Sequence, residues 1–155
     1  MRNIEIVKVS SGDFQDVAEL IKSLLIELEP SAIEEIENTN LNVIAKDLLT
    51  NSKIWAFLAK KDTVNMGVVT LHECAAIYAG GVFGEISELY VKPEFRSLQV
   101  GELLLSSAIE YGKSRGWKRL EVGSPPTNES PRTFKFYEKQ GFQCTGSRLR
   151  FLIQP

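Results

Sequence analysis

A strand joined to a helix by a short polar turn, in residues 84–112, constrains this chain more than any other feature of its sequence. The strand pattern ends at residues 89–91 and is stopped by Pro93, and apolar residues at helical spacing resume at Val100. The first turn of such a helix presents backbone N–H groups that have no acceptor within the helix. Gly101 lets a ligand approach that backbone closely. The junction is therefore predicted to bind an anion.

Length and composition indicate a single domain over residues 1–155, because 155 residues with 43% hydrophobic content can build one substantial core. With a net charge of −2 and no dense Lys/Arg cluster, a nucleic-acid partner is not expected. No window approaches the roughly 20 apolar residues that span a bilayer, and the N-terminus lacks the apolar run of a signal peptide. Cys74 and Cys144 fit reduced thiols better than a disulfide framework. We expect a cytoplasmic protein without a membrane partner.

The remaining patterns place an antiparallel meander of strands before the central helix. Strands are predicted at residues 3–9, 53–59, 66–77, 82–91 and 117–122. Helices are predicted from residue 14 to before Pro30, in two parts at 32–36 and 41–49, at 100–115, and at 131–138 with Ser130 as the N-cap. A last hairpin is predicted to pair residues 142–144 with 148–153. A helix between two strands implies that the strands at 82–91 and 117–122 are parallel.

Two motifs in the second half of the chain resemble the GNAT superfamily, the acyl-CoA-dependent N-acyltransferases. LYVKPEFRSLQVGELLL is similar to its central motif, in which a strand is followed by R/Q-x-x-G-x-G/A. Arg96 fills the first position and Gly101 the last, whereas Gln99 replaces the middle glycine and Ser97 stands where a glycine is common. FYEKQGF, residues 136–142, resembles the signature near the end of these domains.

Together with the order of elements, the resemblance implies an α/β (α+β) fold. We expect a mixed, mostly antiparallel, twisted sheet whose central parallel pair, at residues 82–91 and 117–122, splays apart. About four helices should flank this sheet.

The resemblance also implies that acetyl-CoA is the co-substrate, with its pyrophosphate held by loop amides and its pantetheine arm by the main chain of the preceding strand. If Gln99 must adopt a positive φ, its side chain costs roughly 1 kcal/mol relative to glycine. An ordinary strand–turn–helix connection is the alternative interpretation. The expected cofactor-binding residues are Leu89, Tyr90, Val91, Arg96, Ser97, Leu98, Gln99, Val100, Gly101, Glu102, Asn128 and Phe136.

Three residues are candidates for proton transfer. The resemblance makes Tyr137 a general acid for the departing thiolate, and a helix aromatic packed on the sheet is its alternative role. Glu88 and Glu85 are candidate general bases, acting directly or through water, and a structural role for either is equally open. Strict alternation puts these two carboxylates on opposite faces unless a bulge intervenes, as it does in the family. At most one of them is expected to be the base.

No metal site is predicted, because His72 is the sole histidine and no His or Cys stands at an evident ligand spacing. His72 is expected to be structural. Ser124 and Ser130 have no histidine near them in sequence, so a hydrolase triad has little support.

The function that these patterns favour is direct transfer of an acetyl group from acetyl-CoA to a primary amine in a ternary complex. The acceptor would be a small molecule or a peptide, and a homodimer is compatible with the family. One alternative is a non-catalytic CoA-binding scaffold or sensor whose pyrophosphate loop is weakened by Gln99. Another is an acyltransferase that uses a different acyl-CoA or a hydroxyl acceptor.

Overall fold

The structure is a computed structural model that describes residues 3–124 and 130–154. Contacts within the chain define two compact units, Met1–Glu121 and Val122–Pro155. None of the described helices is both long enough and apolar enough to cross a membrane.

A five-stranded mixed sheet forms the centre of the fold, with its strands in sequence order. The strands are β1 (Glu5–Lys8), β2 (Trp55–Lys61), β3 (Val64–Ala76), β4 (Gly81–Val91) and β5 (Leu120–Val122). The first four pair antiparallel, and β4 and β5 are parallel. The parallel pair begins where Lys118 N–H donates to Val82 C=O and Gly84 N–H donates to Arg119 C=O, each at 3.0 Å. The predicted mixed sheet with a parallel pair is confirmed.

Five α-helices accompany this sheet in the described residues: α1 (Phe14–Leu28), α2 (Ile33–Asn38), α3 (Leu41–Thr50), α4 (Val100–Arg115) and α5 (Pro131–Lys139). The predicted interruption of the second helical pattern is real, because the Asn40 side chain accepts a hydrogen bond from Val43 N–H at 3.2 Å and caps α3. The break makes two separate helices, which accounts for five where about four were expected.

Helices cover both faces of the central strands within Met1–Glu121. On one face α1 packs over a cluster that comprises Val17, Leu20, Ala56, Leu58, Val68 and Tyr90. Side chains alternate along β2, so Trp55 and Phe57 point to the opposite face, where both contact Tyr111 of α4. Burial on two faces explains why β2 and β3 read as nearly continuous apolar runs.

The end of α4 sets where β5 can begin. Gly116 adopts φ 75°, its N–H donates to Lys113 C=O at 3.1 Å, and Trp117 N–H donates to Gly112 C=O at 2.9 Å. This pair of bonds is the Schellman motif, which the glycine just past the helix predicts. Because the motif uses Trp117, β5 starts at Leu120 and the strand predicted from residue 117 was too long.

The predicted final hairpin is wrong. Residues 142–154 form no strand. Leu149, Phe151 and Ile153, which alternate along the predicted strand, are 93%, 87% and 85% exposed. Alternation specifies a strand only where a neighbouring strand supplies ladder hydrogen bonds, and no described strand pairs with this segment.

Candidate functional site

The loop between β4 and α4 has an unusual backbone. Ser97 and Gln99 have φ angles of 73° and 65°, in the left-handed region that favours glycine. Gln99 is the N-cap of α4, and its C=O accepts the first helical hydrogen bond from Leu103 N–H at 3.1 Å. Val100 is 1% exposed and anchors the start of the helix in the core. The loop therefore has the conformation of a glycine-rich turn without the glycines.

This backbone presents a row of donors. Across the part of the chain that the structure describes, the six N–H groups of residues 97–102 have no hydrogen-bond acceptor. Residues 97–99 are exposed. Successive N–H groups in such a turn, at the positive end of a helix, suit an anion. The half-buried Glu102 brings one negative charge to the same turn. This charge interacts favourably with the positive end of the helix dipole but repels a bound anion.

Arg96 holds the loop in place instead of pointing into it. Its Nε donates to Val91 C=O at 2.9 Å, and a terminal nitrogen donates to both carboxylate oxygens of Glu27 in α1, at 2.8 and 3.0 Å. The guanidinium also lies 5.6 Å from the ring centre of Tyr90. Arg96 thus connects the end of β4, the loop and α1.

The strand residues predicted to hold the cofactor are paired with β3. Leu89, Tyr90 and Val91 lie opposite Val69, Val68 and Gly67. The Tyr90 side chain belongs to the core beneath α1, and its burial raises the pKa of the phenol. A cofactor contact at these three residues would therefore involve their main chain or, for Leu89 and Val91, a half-buried side chain on the α4 face.

A β-bulge brings the two candidate bases to one face. Thr70 pairs with Glu88 and Leu71 pairs with Ile86, so Ser87 is the extra residue of β4. The bulge was expected, and it puts Glu85 and Glu88 on the same face of the sheet. On that face their cross-strand partners in β3 are His72 and Thr70, respectively. Glu88 is fixed by the buried Thr70, whose hydroxyl donates to the Glu88 carboxylate and accepts from Glu88 N–H.

Sequence reasoning missed the environment of His72. Its Nδ1 lies 2.8 Å from Ser87 Oγ, and its Nε2 lies 3.3 Å from Glu85 Oε1. Cys74 Sγ lies 4.0 Å from the same Glu85 oxygen. The signal was the alternation of residues 70, 72 and 74, which puts three polar side chains on one face, but their partners across β4 depend on the bulge.

The second unit contains Tyr137. This residue is 8% exposed in α5, and its ring centre lies 5.3 Å from that of Phe136 and 5.4 Å from that of Phe142. Gly141, at φ 99°, ends the helix as predicted, and Phe142 N–H donates to Tyr137 C=O at 3.0 Å. Burial raises the pKa of Tyr137 to about 12. Asn128, the other predicted cofactor contact before α5, lies outside the described residues.

A polar groove of about 710 Å³ lies along α1 beside the turn between α2 and α3. Gln15, Lys22, Glu37 and Asn40 are among its lining residues. None of the predicted site residues lines this groove, so it is separate from the loop and from the carboxylates of β4.

Comparison with known sequences identifies relatives. The chain is 37% identical over 59 residues to an uncharacterised N-acetyltransferase of Methanocaldococcus jannaschii, which covers 38% of this chain and 25% of that protein. It is 34% identical over 96 residues to an uncharacterised N-acetyltransferase of Archaeoglobus fulgidus, covering 61% of this chain and 64% of that protein. The chain thus spans a quarter of the length of the first relative and less than two thirds of the length of the second.

Solved structures share the fold at low sequence identity. An aminoglycoside acetyltransferase from an uncultured soil metagenomic sample superposes with a TM-score of 0.82 at 16% identity, over 99% of this chain and 100% of that one. A ribosomal-protein-alanine N-acetyltransferase of Brucella melitensis biovar Abortus 2308 gives 0.77 at 20% identity, over 97% and 99%. The sequence model of the acetyltransferase (GNAT) family matches residues 17–142. This match covers most of the chain, including the loop before α4 and the FYEKQGF segment, and the chain therefore belongs to the acetyltransferase (GNAT) family.

Proposed function

We propose that this chain, acting as one catalytic domain over residues 1–155, transfers an acetyl group from acetyl-CoA directly to a primary amine. The observation that carries the proposal is the row of six N–H groups in residues 97–102, which have no acceptor among the described residues. Phosphate oxygens are the acceptors that such a turn at a helix N-terminus suits best. Acetyl-CoA, when bound, supplies the thioester whose acyl carbon is attacked.

Residues of β4 supply the expected base. An amine with a pKa near 10 is protonated at neutral pH and must lose a proton before it can attack. Glu85 and Glu88 share one face of the sheet, and their negative charges favour a cationic acceptor. Glu88 accepts from Thr70, whereas Glu85 faces His72, so Glu85 has a neighbour able to share a proton. We assign the base to one of these two carboxylates, acting directly or through a water.

Tyr137 is proposed to stabilise the leaving group. In the overall reaction a C–N bond forms, the C–S bond breaks, the amine loses a proton to the base, and the thiolate takes up a proton from water. With a pKa of about 12, the phenol is a weak acid beside a thiol, whose pKa is about 8.5. Tyr137 is therefore better suited to donate a hydrogen bond to the developing thiolate than to transfer its proton completely.

The acceptor class is proposed from chemistry. The aminoglycoside acetyltransferase and the ribosomal-protein-alanine N-acetyltransferase that share this fold are named for amine-bearing acceptors of different size. Both are compatible with a small-molecule or peptide amine here. The cytoplasm, where acetyl-CoA is available, is the proposed location.

An acetyl-CoA titration tests the proposal. A ligand at 100 times its Kd stabilises the folded state by about 2.7 kcal/mol, which a thermal-shift series resolves. Gly101→Val places a β-branched side chain in the first turn of α4. The Kd for acetyl-CoA, obtained from the thermal shifts, should then rise at least tenfold. Ser106→Val introduces the same side chain further along the exposed side of α4 and should leave Kd unchanged.

Turnover separates the enzyme from a scaffold. The scaffold alternative supposed that Gln99 spoils the loop, yet Gln99 and Ser97 adopt the left-handed geometry that glycines would supply. Release of CoA thiol in the presence of a panel of amines supports the enzyme. Acetyl-CoA binding without turnover on any amine would favour the scaffold. A larger shift with a longer acyl-CoA than with acetyl-CoA would favour the other acyl donor.

A further inference from the structure

Three potential metal ligands meet on neighbouring strands, next to the β-bulge. His72 and Cys74 are two residues apart in β3 and so lie on one face of the sheet. Glu85 of β4 is the partner of His72 across the pair. One ligand atom from each of these three side chains lies within 4.8 Å of the others. An imidazole, a thiol and a carboxylate are thereby gathered without any change in the backbone.

The separations are close to those of a tetrahedral zinc site. Nitrogen and oxygen ligands lie about 2.0 to 2.1 Å from Zn²⁺ and sulfur about 2.3 Å, so tetrahedral angles put nitrogen and oxygen roughly 3.3 Å apart and sulfur roughly 3.6 Å from either. His72 Nε2 is 3.3 Å from Glu85 Oε1, and Cys74 Sγ is 4.0 Å from the same oxygen. The third pair, His72 and Cys74, lies within 4.8 Å, so the cysteine side chain must rotate to bring its sulfur closer to the other two ligands.

The outer shell of His72 also suits a metal ligand. A ligating histidine typically uses one ring nitrogen for the metal and donates the N–H of the other to a nearby oxygen, which fixes its tautomer. Here Nδ1 lies 2.8 Å from Ser87 Oγ, which leaves Nε2 for the metal beside Glu85. Ser87 occupies this position because it is the bulged residue.

We propose that His72, Cys74 and Glu85 bind a divalent cation of the zinc class. A mixed nitrogen, sulfur and oxygen set suits Zn²⁺ or Co²⁺ and does not suit Mg²⁺ or Ca²⁺, which prefer oxygen alone. The His72 and Glu85 side chains are 36% and 17% exposed, so the fourth position opens to solvent and takes a water. At neutral pH the thiol loses its proton to solvent on binding, and the imidazole binds in its neutral form.

The cation site does not depend on the proposed acetyl transfer for its evidence, but the two roles compete for the Glu85 carboxylate. A carboxylate that ligates a cation is no longer a proton acceptor, so the occupied site would leave Glu88 as the one remaining candidate base. The sequence predicted no metal site because His72 and Cys74 have no further His or Cys nearby. The third ligand comes from another strand, which the sequence spacing does not reveal.

Cobalt titration of untagged, reduced protein tests the site directly. Co²⁺ should produce a thiolate-to-cobalt charge-transfer band in the near ultraviolet with one equivalent bound, and Zn²⁺ should remove it. Cys74→Ser should abolish the band and weaken binding at least a hundredfold, whereas Cys144→Ser, the matched control at the other cysteine, should change neither. Ser87→Ala should weaken binding on the order of tenfold through the outer shell.

Circular dichroism of each variant separates lost ligation from lost folding. If Cys74→Ser does not fold, His72→Asn and Glu85→Gln provide the same test, and each should weaken binding at least tenfold. The proposal is overturned if no charge-transfer band forms at millimolar Co²⁺. It is equally overturned if folded Cys74→Ser, or both other variants, bind Co²⁺ as tightly as the parent protein.

Discussion

Gln99 and Ser97 adopt left-handed backbone conformations that an L-residue with a side chain enters at a penalty of roughly 1 to 2 kcal/mol. Glycine removes this penalty in the folded state. It also increases the conformational entropy of the unfolded chain, which cancels part of the gain in the free energy of unfolding. Gln99→Gly should therefore stabilise the fold by about 0.5 to 1 kcal/mol. Urea unfolding at equilibrium measures the difference.

Leu98→Gly is the matched control for this substitution. Leu98 lies between the two strained residues and is 52% exposed, but its φ is not positive. Glycine there should be neutral or slightly destabilising. A loss of stability in Gln99→Gly equal to that in Leu98→Gly would show that the left-handed conformation of Gln99 carries no strain. Tighter acetyl-CoA binding by Gln99→Gly would show that Gln99 also limits the cofactor site.

Tyr137→Phe tests the hydroxyl of a buried ring while keeping its packing against Phe136 and Phe142. Loss of a proton or hydrogen-bond donor to the leaving group should lower kcat on the order of 10²-fold or more, with little change in KM. With a pKa of about 12, the phenol stays protonated through the usual assay range, so an alkaline limb below pH 10 should persist in the variant.

Phe142→Leu is the control, since it alters the aromatic cluster, leaves the Tyr137 hydroxyl and is not among the predicted cofactor-binding residues. A parent-like kcat in Tyr137→Phe, with chemistry rate-limiting, would reduce Tyr137 to a packing role. Stability gives a second readout, because the folded pKa is above the ordinary value of 10 and stability should fall as pH rises from about 10 to about 12. Tyr137→Phe should remove that loss.

At the scale of elements, the Trp117 ring packs against Gly112 near the end of α4 and against Gly84 of β4. A Cβ on Gly84 would lie 2.2 Å from two carbons of the Trp117 ring, and one on Gly112 would lie 2.9 Å from it. Trp117 Nε1 donates to Glu73 at 2.6 Å, which lowers the pKa of that carboxyl and keeps the ring from moving aside. Gly84→Ala should therefore destabilise the fold by about 2 to 3 kcal/mol.

Gly12→Ala serves as the control, because its new Cβ would have its nearest neighbour at 3.9 Å. In a Trp117→Leu background, Gly84→Ala should cost at least 1 kcal/mol less than in the parent, since the smaller side chain leaves room. An unchanged cost in that background would mean that the clash with Trp117 is not the cause.

At the scale of the molecule, the contact of Arg96 with Glu27 joins the loop to a helix 69 residues earlier in the chain. If Arg96 positions the loop, Arg96→Lys and Glu27→Gln should both weaken acetyl-CoA binding several-fold, because each breaks the two-oxygen contact. The loss of stability should be about 1 kcal/mol or less, since both side chains are over a third exposed, at 34% and 45%. Calorimetric titration measures both affinities.

Removal of the Glu27 charge distinguishes two roles for Arg96, one in positioning the loop and the other in contacting the pyrophosphate of the cofactor. Should Arg96 instead contact the pyrophosphate, Glu27→Gln would release its guanidinium and tighten binding, while Arg96→Lys would still weaken it. Glu37→Gln is the control, because Glu37 sits on α2, where its carboxylate lies 4.0 Å from Lys22 Nζ and not, among the described residues, in an ion pair with Arg96.

Local features of the chain were predictable from the sequence alone. The junction of strand and helix near Val100, the end of α4 at Gly116 and the break before Asn40 follow from apolar spacing and from capping residues. These signals act within a few residues of each other, because helix ends are decided by the hydrogen bonds of their own first and last turns. The parallel pair followed from the order of elements.

Tertiary structure decided what depends on partners distant in sequence. The bulge at Ser87 put both carboxylates on the face of His72, and no local pattern fixes where a register shifts. The contact of Arg96 with Glu27 joins segments 69 residues apart, and the meeting of Cys74 with Glu85 depends on the register in which β3 pairs with β4. The terminal hairpin failed for the same reason, since alternating residues at 148–153 become a strand only when another strand is present to bond them.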